Sequence, residues 1–155
     1  DLTLGEAENF VKAYFVRFTG IKHYLDETKK LAARQGYVTT LLGRRRYFPA
    51  LMGMLNAQLR NREEREAINA PIQGTAADIM KIAMLNIPGA LKQAGLHGKM
   101  LLQVHDEIVI ECPQSELQQT ARLAQQTMES AYPLSIPLST EARSGKSWGA
   151  MKVLE

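Results

Sequence analysis

The stretch Leu101-Leu102-Gln103-Val104-His105-Asp106-Glu107-Ile108-Val109-Ile110-Glu111 decides the architecture of this chain. Two runs rich in Leu, Val and Ile flank a polar knot of His, Asp and Glu, the signature of a β-hairpin. Met100 to Val104 is expected as one strand and Ile108 to Cys112 as the next. Side chains alternate across a strand, so Ile108, Ile110 and Cys112 should share one face, and Glu107, Val109 and Glu111 the other. The tip presents adjacent acids, Asp106 and Glu107. They admit two readings. Turns favour Asp because its side chain bonds the local backbone, so the tip can be a solvated turn. It can also be a carboxylate held rigidly to bind a hard divalent cation such as Mg²⁺, which prefers oxygen donors and keeps several waters.

Upstream, Thr3-x-x-Glu6 forms a capping box. Phe10, Val11, Tyr14, Phe15 and Phe18 then recur at helical spacing, predicting a helix over 4–18 with its aromatic stripe in a core and Gly20 as its stop. Ile21, Tyr24, Leu25, Thr28, Leu31 and Ala32 mark a second helix ending at Gly36, with His23 on its polar side. Tyr37 to Tyr47 reads as a small hairpin with Arg44, Arg45 and Arg46 near its tip. Three successive arginines on a strand point in more than one direction, so not all reach one ligand. They are either a solvated tip or a phosphate contact, for which the guanidinium fork suits.

Pro49 to Gly53 reads as a loop, followed by a helix from about Leu55. Arg65, Asn69 and Gln73 are four apart and form one stripe if that helix runs through, but Pro71 argues for a kink or break between them. Taken alone, the stripe is a solvated face. Thr75 is expected to cap a restarted helix with Asp78 in its first turn, Pro88-Gly89 to kink it, and Gly95 or Gly98 to end it. Capping explains Asp78 better than metal binding does. His97 falls in a Gly-flanked loop exposed to solvent. After Pro113, Glu116 to Ala131 predicts a helix with Leu117, Ala121, Ala124 and Met128 inward. Leu138 to Ala142 is expected to add a last strand, and Trp148 to anchor packing.

At 155 residues and 45% hydrophobic content the chain can bury a core. No apolar run approaches the roughly 20 residues that span a bilayer, and Asp1-Leu2-Thr3-Leu4 lacks the features of a signal peptide. One cysteine, Cys112, excludes an internal disulfide and a cysteine zinc cluster, fits a reducing compartment, and is expected buried in its strand. The net charge is only +3, but unevenly spread. Lys29 to Arg46 carries six bases and no acid, whereas Gln103 to Glu141 carries six acids and one base, Arg122. The first pattern suits phosphate contact and the second metal binding or a solvated face.

Gln103-Val104-His105-Asp106-Glu107 between apolar strands resembles motif C of the family A DNA polymerases, the bacterial DNA polymerase I type. Gly36 to Tyr47 resembles the end of that family's fingers, Ala67 to Asp78 the palm segment that follows, and Gly145 to Trp148 its extreme C-terminus. The likeness covers nearly the whole chain, with its motifs in the family's order. It implies an α+β fold: helices packed on a small antiparallel palm sheet, with a mainly helical fingers segment at the N-terminus. Residues 1–56 would be the trailing part of the fingers and 57–155 the palm. It also implies template-dependent nucleotidyl transfer to a primer 3′-hydroxyl with two Mg²⁺ ions, in DNA replication and repair in the bacterial cytoplasm, associated with the nucleoid. Asp106 would be a metal ligand and Glu107 a support for the primer terminus and metal region. Gln103 and His105 would lie near the primer end. Arg44, Arg45 and Arg46 would contact template DNA, and Arg65, Asn69 and Gln73 would face the minor groove. Minor-groove acceptors are similar in all base pairs, so donors there sense correct pairing without reading sequence.

The sequence departs from the family at its start. It begins just after the expected motif B, and it shows no nucleotide-binding Lys and Tyr helix, motif A strand, thumb or exonuclease region. Neither Asp1 nor Asp26 sits in a motif A setting. The expected partners are therefore primer–template DNA, deoxynucleoside triphosphates and an upstream half of the polymerase, with no membrane, and the chain alone is expected to be inactive. Two other readings stand beside this one: a non-catalytic nucleic-acid-binding module, and a marginally stable palm piece that binds nothing well alone.

Overall fold

The computed structural model describes residues 3–54 and 56–154. Its contacts divide the chain into two units, Asp1–Thr75 and Ala76–Glu155. The fold is α+β, as expected, with one difference in the sheet. Among the described residues the strands form three separate two-stranded antiparallel ribbons.

In the first unit, helix α1 (Leu4–Arg17) starts at the expected capping box. The Glu6 carboxylate accepts from the Thr3 backbone N–H at 2.8 Å, and the Thr3 hydroxyl accepts from the Glu6 N–H. The Thr3 hydroxyl also donates to that carboxylate at 2.7 Å, and this bond foremost, then the one from the Thr3 backbone, holds the Glu6 carboxyl below its ordinary value. The stop is not Gly20. Phe18 closes α1, and α2 (Thr19–Gln35) begins at once with Gly20 inside it. The aromatic stripe also departs from expectation. No residue of α1 is buried, and Phe10 is 69% exposed. Tyr14 and Phe18 instead pack against each other, ring centroids 4.9 Å apart and planes tilted by 47°.

Helix α2 ends as predicted at Gly36, whose φ of 75° suits a residue without Cβ. Strands β1 (Tyr37–Thr39) and β2 (Arg45–Tyr47) follow, with Val38 opposite Arg46. Arg45 and Arg46 thus lie within a strand rather than at the tip. Pro49–Met52 is a single 3₁₀ turn, not a loop, and it buries Leu51. The core of this unit is Ala32, Val38, Phe48, Leu51, Ala67 and Ala70.

Ala67 and Ala70 belong to α3, which runs unbroken over Ala57–Gln93. The predicted start near Leu55 and the residue Asp1 lie outside the described residues. Neither Pro71 nor Pro88-Gly89 interrupts α3. Proline removes one helical hydrogen bond and its ring crowds the carbonyl four residues back, here Ala67. The next carbonyl, Ile68, accepts from the Tyr24 hydroxyl on α2 at 3.0 Å. Burial of Ala67, Ala70 and Thr75 holds the segment helical on both sides of Pro71. Thr75 is therefore not a cap. Its hydroxyl accepts from the Leu41 N–H at 3.0 Å, and Asp78 is a buried mid-helix residue.

In the second unit, α3 ends at Gly95 (φ 68°). The Leu96 N–H reaches the Leu91 carbonyl and the Gly95 N–H the Lys92 carbonyl, a Schellman closure. Strands β3 (Lys99–Val104) and β4 (Glu107–Glu111) form the central ribbon, and α4 (Leu117–Glu129) follows. Cys112 falls just past β4 and is half-buried rather than a buried strand residue. Strands β5 (Arg143–Ser144) and β6 (Lys152–Val153) pair only with each other, so Leu138 to Ala142 adds no strand. Trp148 is half-exposed rather than a packing anchor.

Exposed His97 is not simply solvated. Glu116 accepts from its backbone N–H at 2.7 Å and lies 2.7 Å from its Nδ1, tying the entry of β3 to the start of α4. The backbone bond first, then the ring, holds the Glu116 carboxyl below its ordinary value. A carboxyl with a depressed folded-state pKa stabilises above its unfolded value, and that contribution vanishes as pH falls through the folded one. Glu116→Gln should therefore lower the thermal midpoint at pH 7, and the gap should close on acidification below the ordinary carboxylate range. Tyr24→Phe, which removes the donor to Ile68, should cost about 1 kcal/mol in urea denaturation.

Candidate nucleic-acid and metal site

The candidate residues form two groups, one in each unit. In the first, Val38, Thr39, Thr40, Arg44, Arg45, Arg46, Ala70, Gln73 and Gly74 line a cavity of about 120 Å³. Its walls approach closely because position 74 is glycine. A Cβ there would lie 2.6 Å from the Thr40 Cγ2. The strand splits the arginines as alternation demands. The Arg45 guanidinium stacks on Tyr37, 4.7 Å from the ring centroid, and Tyr37 packs on Tyr47. Arg46 stacks on Phe48 at 5.3 Å and its Nη2 donates to Glu66 at 2.8 Å. Each stack restrains a long side chain and leaves guanidinium N–H groups for other acceptors.

Because α3 is unbroken, Arg65, Asn69 and Gln73 do form one stripe, and all three are exposed. Gln73 is shared by stripe and cavity, while Arg65 and Asn69 lie outside the lining. Sequence reasoning missed Glu66 and the Thr75 bond to the hairpin. The four-residue spacing of Arg62 and Glu66 could have pointed to the first, since such pairs face each other on a helix.

In the second unit the tip is shifted one residue from its expected place. Val104 pairs with Glu107, so His105 and Asp106 make the turn and Glu107 starts β4. His105 is the one described non-glycine residue with positive φ, 55°. The Gln103 side chain donates to the His105 carbonyl, bracing the turn from within. The register slips between Met100 and Leu102, a bulge that leaves Leu101 unpaired in the ladder. Asp106 and Glu107 are both exposed. Arg143, unforeseen from sequence, is held above its ordinary pKa first by its bond to Glu141 and also by the charge of Glu107. Among the described residues no three His, Cys, Asp or Glu side chains converge as a metal cluster. Asp106 and Glu107 offer the oxygen donors a hard cation prefers, but only part of a coordination sphere.

The chain is thus α+β, with an arginine-lined cleft in its first unit and a hairpin in its second that carries adjacent acids at Asp106 and Glu107. Residues 1–150 match the family described as DNA polymerase family A, and the chain belongs to that family. It is 50% identical over 143 residues to DNA polymerase I of Streptococcus pneumoniae, covering 92% of this chain and 16% of that protein. It is 48% identical over 145 residues to DNA polymerase I of Mycobacterium leprae, covering 94% and 16%. Among solved structures it resembles the POL domain of Pol1 from M. smegmatis in complex with DNA primer-template and dNTP, with a TM-score of 0.82 and 46% identity. That likeness covers 89% of this chain and 24% of the other. The chain spans about one sixth of the length of these curated relatives. No described helix is long and apolar enough to cross a membrane.

Left-handed backbone costs an ordinary residue about 1–2 kcal/mol, and a β-branched one most of all. His105→Val should therefore loosen the β3–β4 amides in hydrogen exchange, whereas His105→Asn should keep their protection.

Proposed function

We propose that this chain is the C-terminal portion of a DNA-directed DNA polymerase, acting in replication and repair by template-dependent nucleotidyl transfer to a primer 3′-hydroxyl. The observation that carries this is Asp106 in a braced two-residue turn, within a motif and family match that extend along the chain. Residues 1–56 are assigned to the trailing fingers and 57–155 to the palm. The partners are primer–template DNA, deoxynucleoside triphosphates and an upstream part of the polymerase, a reading supported by the complex named for the M. smegmatis structure and by the greater length of the relatives.

Each residue is assigned a task that its setting supports. Arg44, Arg45 and Arg46 supply cations to the template backbone, with Arg45 pre-positioned by its stack on Tyr37. Arg65, Asn69 and Gln73 present donors from one face of α3 to minor-groove acceptors. Gln103 fixes the carbonyl of His105, setting the turn that carries Asp106. Glu107, exposed on the first residue of β4 and sensed by Arg143, faces the primer end. Asp106 would hold Mg²⁺, and two such ions would supply charge neutralisation for the attacking and leaving oxygens. Because Asp106 and Glu107 are only part of such a site, the chain needs carboxylates from the upstream part of the enzyme.

Primer extension with Mg²⁺ and four nucleotides tests this. The chain alone should give no product, and addition of the upstream polymerase part should restore extension. Asp106→Ala in the reconstituted enzyme should reduce it at least a hundredfold, about 2.7 kcal/mol in barrier. Extension by the chain alone would overturn the need for upstream carboxylates. Reconstituted extension indifferent to Asp106→Ala would overturn the assignment of the metal site. Duplex binding without extension in any combination would favour a non-catalytic binding module.

A further inference from the structure

Glu66 stands at the edge of the arginine cleft with both carboxylate oxygens engaged. Oε2 accepts from Arg46 Nη2 at 2.8 Å, and Oε1 accepts from Arg62 Nε at 3.2 Å. Arg46 is one of the cavity's lining residues. Its guanidinium is thus held between the Phe48 ring and an internal anion. Arg45 differs, since its guanidinium rests on Tyr37 and among the described residues it has no carboxylate partner. All members of the Glu66 cluster are substantially exposed, with side chains from 37% for Glu66 to 71% for Arg62.

We propose that Glu66 is an internal counter-ion that competes with nucleic-acid phosphate for Arg46 and Arg62, and so sets how tightly, and how salt-dependently, the cleft holds duplex DNA. The proposal rests on the reading of the cleft as a DNA contact. A carboxylate and a phosphate present similar paired oxygens to a guanidinium fork, so the two acceptors contend for the same N–H groups. An exposed ion pair is weak enough for a polyanion to displace. The displaced carboxylate then stays beside the incoming phosphate, and at 0.1 M salt the screening length of about 10 Å is too long to hide it. Glu66 therefore opposes phosphate engagement at the two arginines it serves, while Arg45 carries no such restraint.

Glu66→Gln removes the charge yet keeps the length and an acceptor oxygen, so it separates charge from positioning. The control is Glu63→Gln, which makes the same change in net charge on the same helix. Among the described residues Glu63 has no ion pair with the cleft arginines. Binding of a labelled primer–template duplex is followed by fluorescence anisotropy across a KCl series for the wild-type chain and both variants. Glu66→Gln should bind several-fold tighter at low salt. Its log–log salt slope should steepen by about 0.9 for each phosphate newly held. Glu63→Gln should leave the slope unchanged. Equal or weaker binding by Glu66→Gln, or an equal gain in Glu63→Gln, overturns the proposal. The double variant Arg44→Ala/Arg45→Ala tests the underlying reading separately. Unchanged binding there would overturn the cleft as a DNA contact, and no binding by any form would overturn both.

Discussion

The first unit depends on how closely α3 can approach the β1–β2 hairpin. At position 74 the helix has no side chain, and the space a methyl group would fill is already taken by Thr40. One residue on, the Thr75 hydroxyl holds the Leu41 amide where the hairpin turns. With hairpin and helix in register, Val38, Ala67 and Ala70 join Ala32, Phe48 and Leu51 in the core, and the arginines are left at its rim. A larger residue at 74 would push the hairpin outward and move Arg45 and Arg46 with it. Interiors transmit such displacements because they are close-packed.

The arginines illustrate how a basic sequence run becomes a graded surface. Charge alone treats Arg44, Arg45 and Arg46 as equivalent. The strand places Arg45 over one tyrosine and turns Arg46 toward α3, where Phe48 and Glu66 restrain it. Aromatic stacking holds a cation without neutralising it, whereas a carboxylate does both. A site of this kind can position several cations while offering them unequally to an incoming polyanion.

Elements whose signals were local were legible in the sequence. The Thr3–Glu6 box, the Gly36 stop and the β3–β4 hairpin each announce themselves within a few residues, and the structure has all three. The place of Asp106 at the hairpin tip was legible as part of a motif, whereas the four-residue period of Arg65, Asn69 and Gln73 gave one stripe only on the condition that the helix ran through Pro71. What was not legible depended on distant partners. Pro71 looks like a break until Tyr24 and the buried alanines are in place. The aromatics of α1 look like a core stripe, yet Phe10 and Tyr14 are exposed and Phe15 is only half-buried. Periodicity shows which side of a helix is apolar, not what covers it. The one-residue shift of the hairpin tip follows from the positive φ that His105 adopts, a conformation that local preference assigns to Asn or Gly.

The lone thiol gives this chain a built-in reporter. Cys112 is half-buried and immediately follows the strand that begins at Glu107. No other cysteine competes with it for a maleimide. Its alkylation rate therefore reads how often the end of β4 opens to solvent, on the scale of local rather than global unfolding. Ordering of the hairpin tip, some five residues away, would register there as slower labelling, with no engineered probe in the protein.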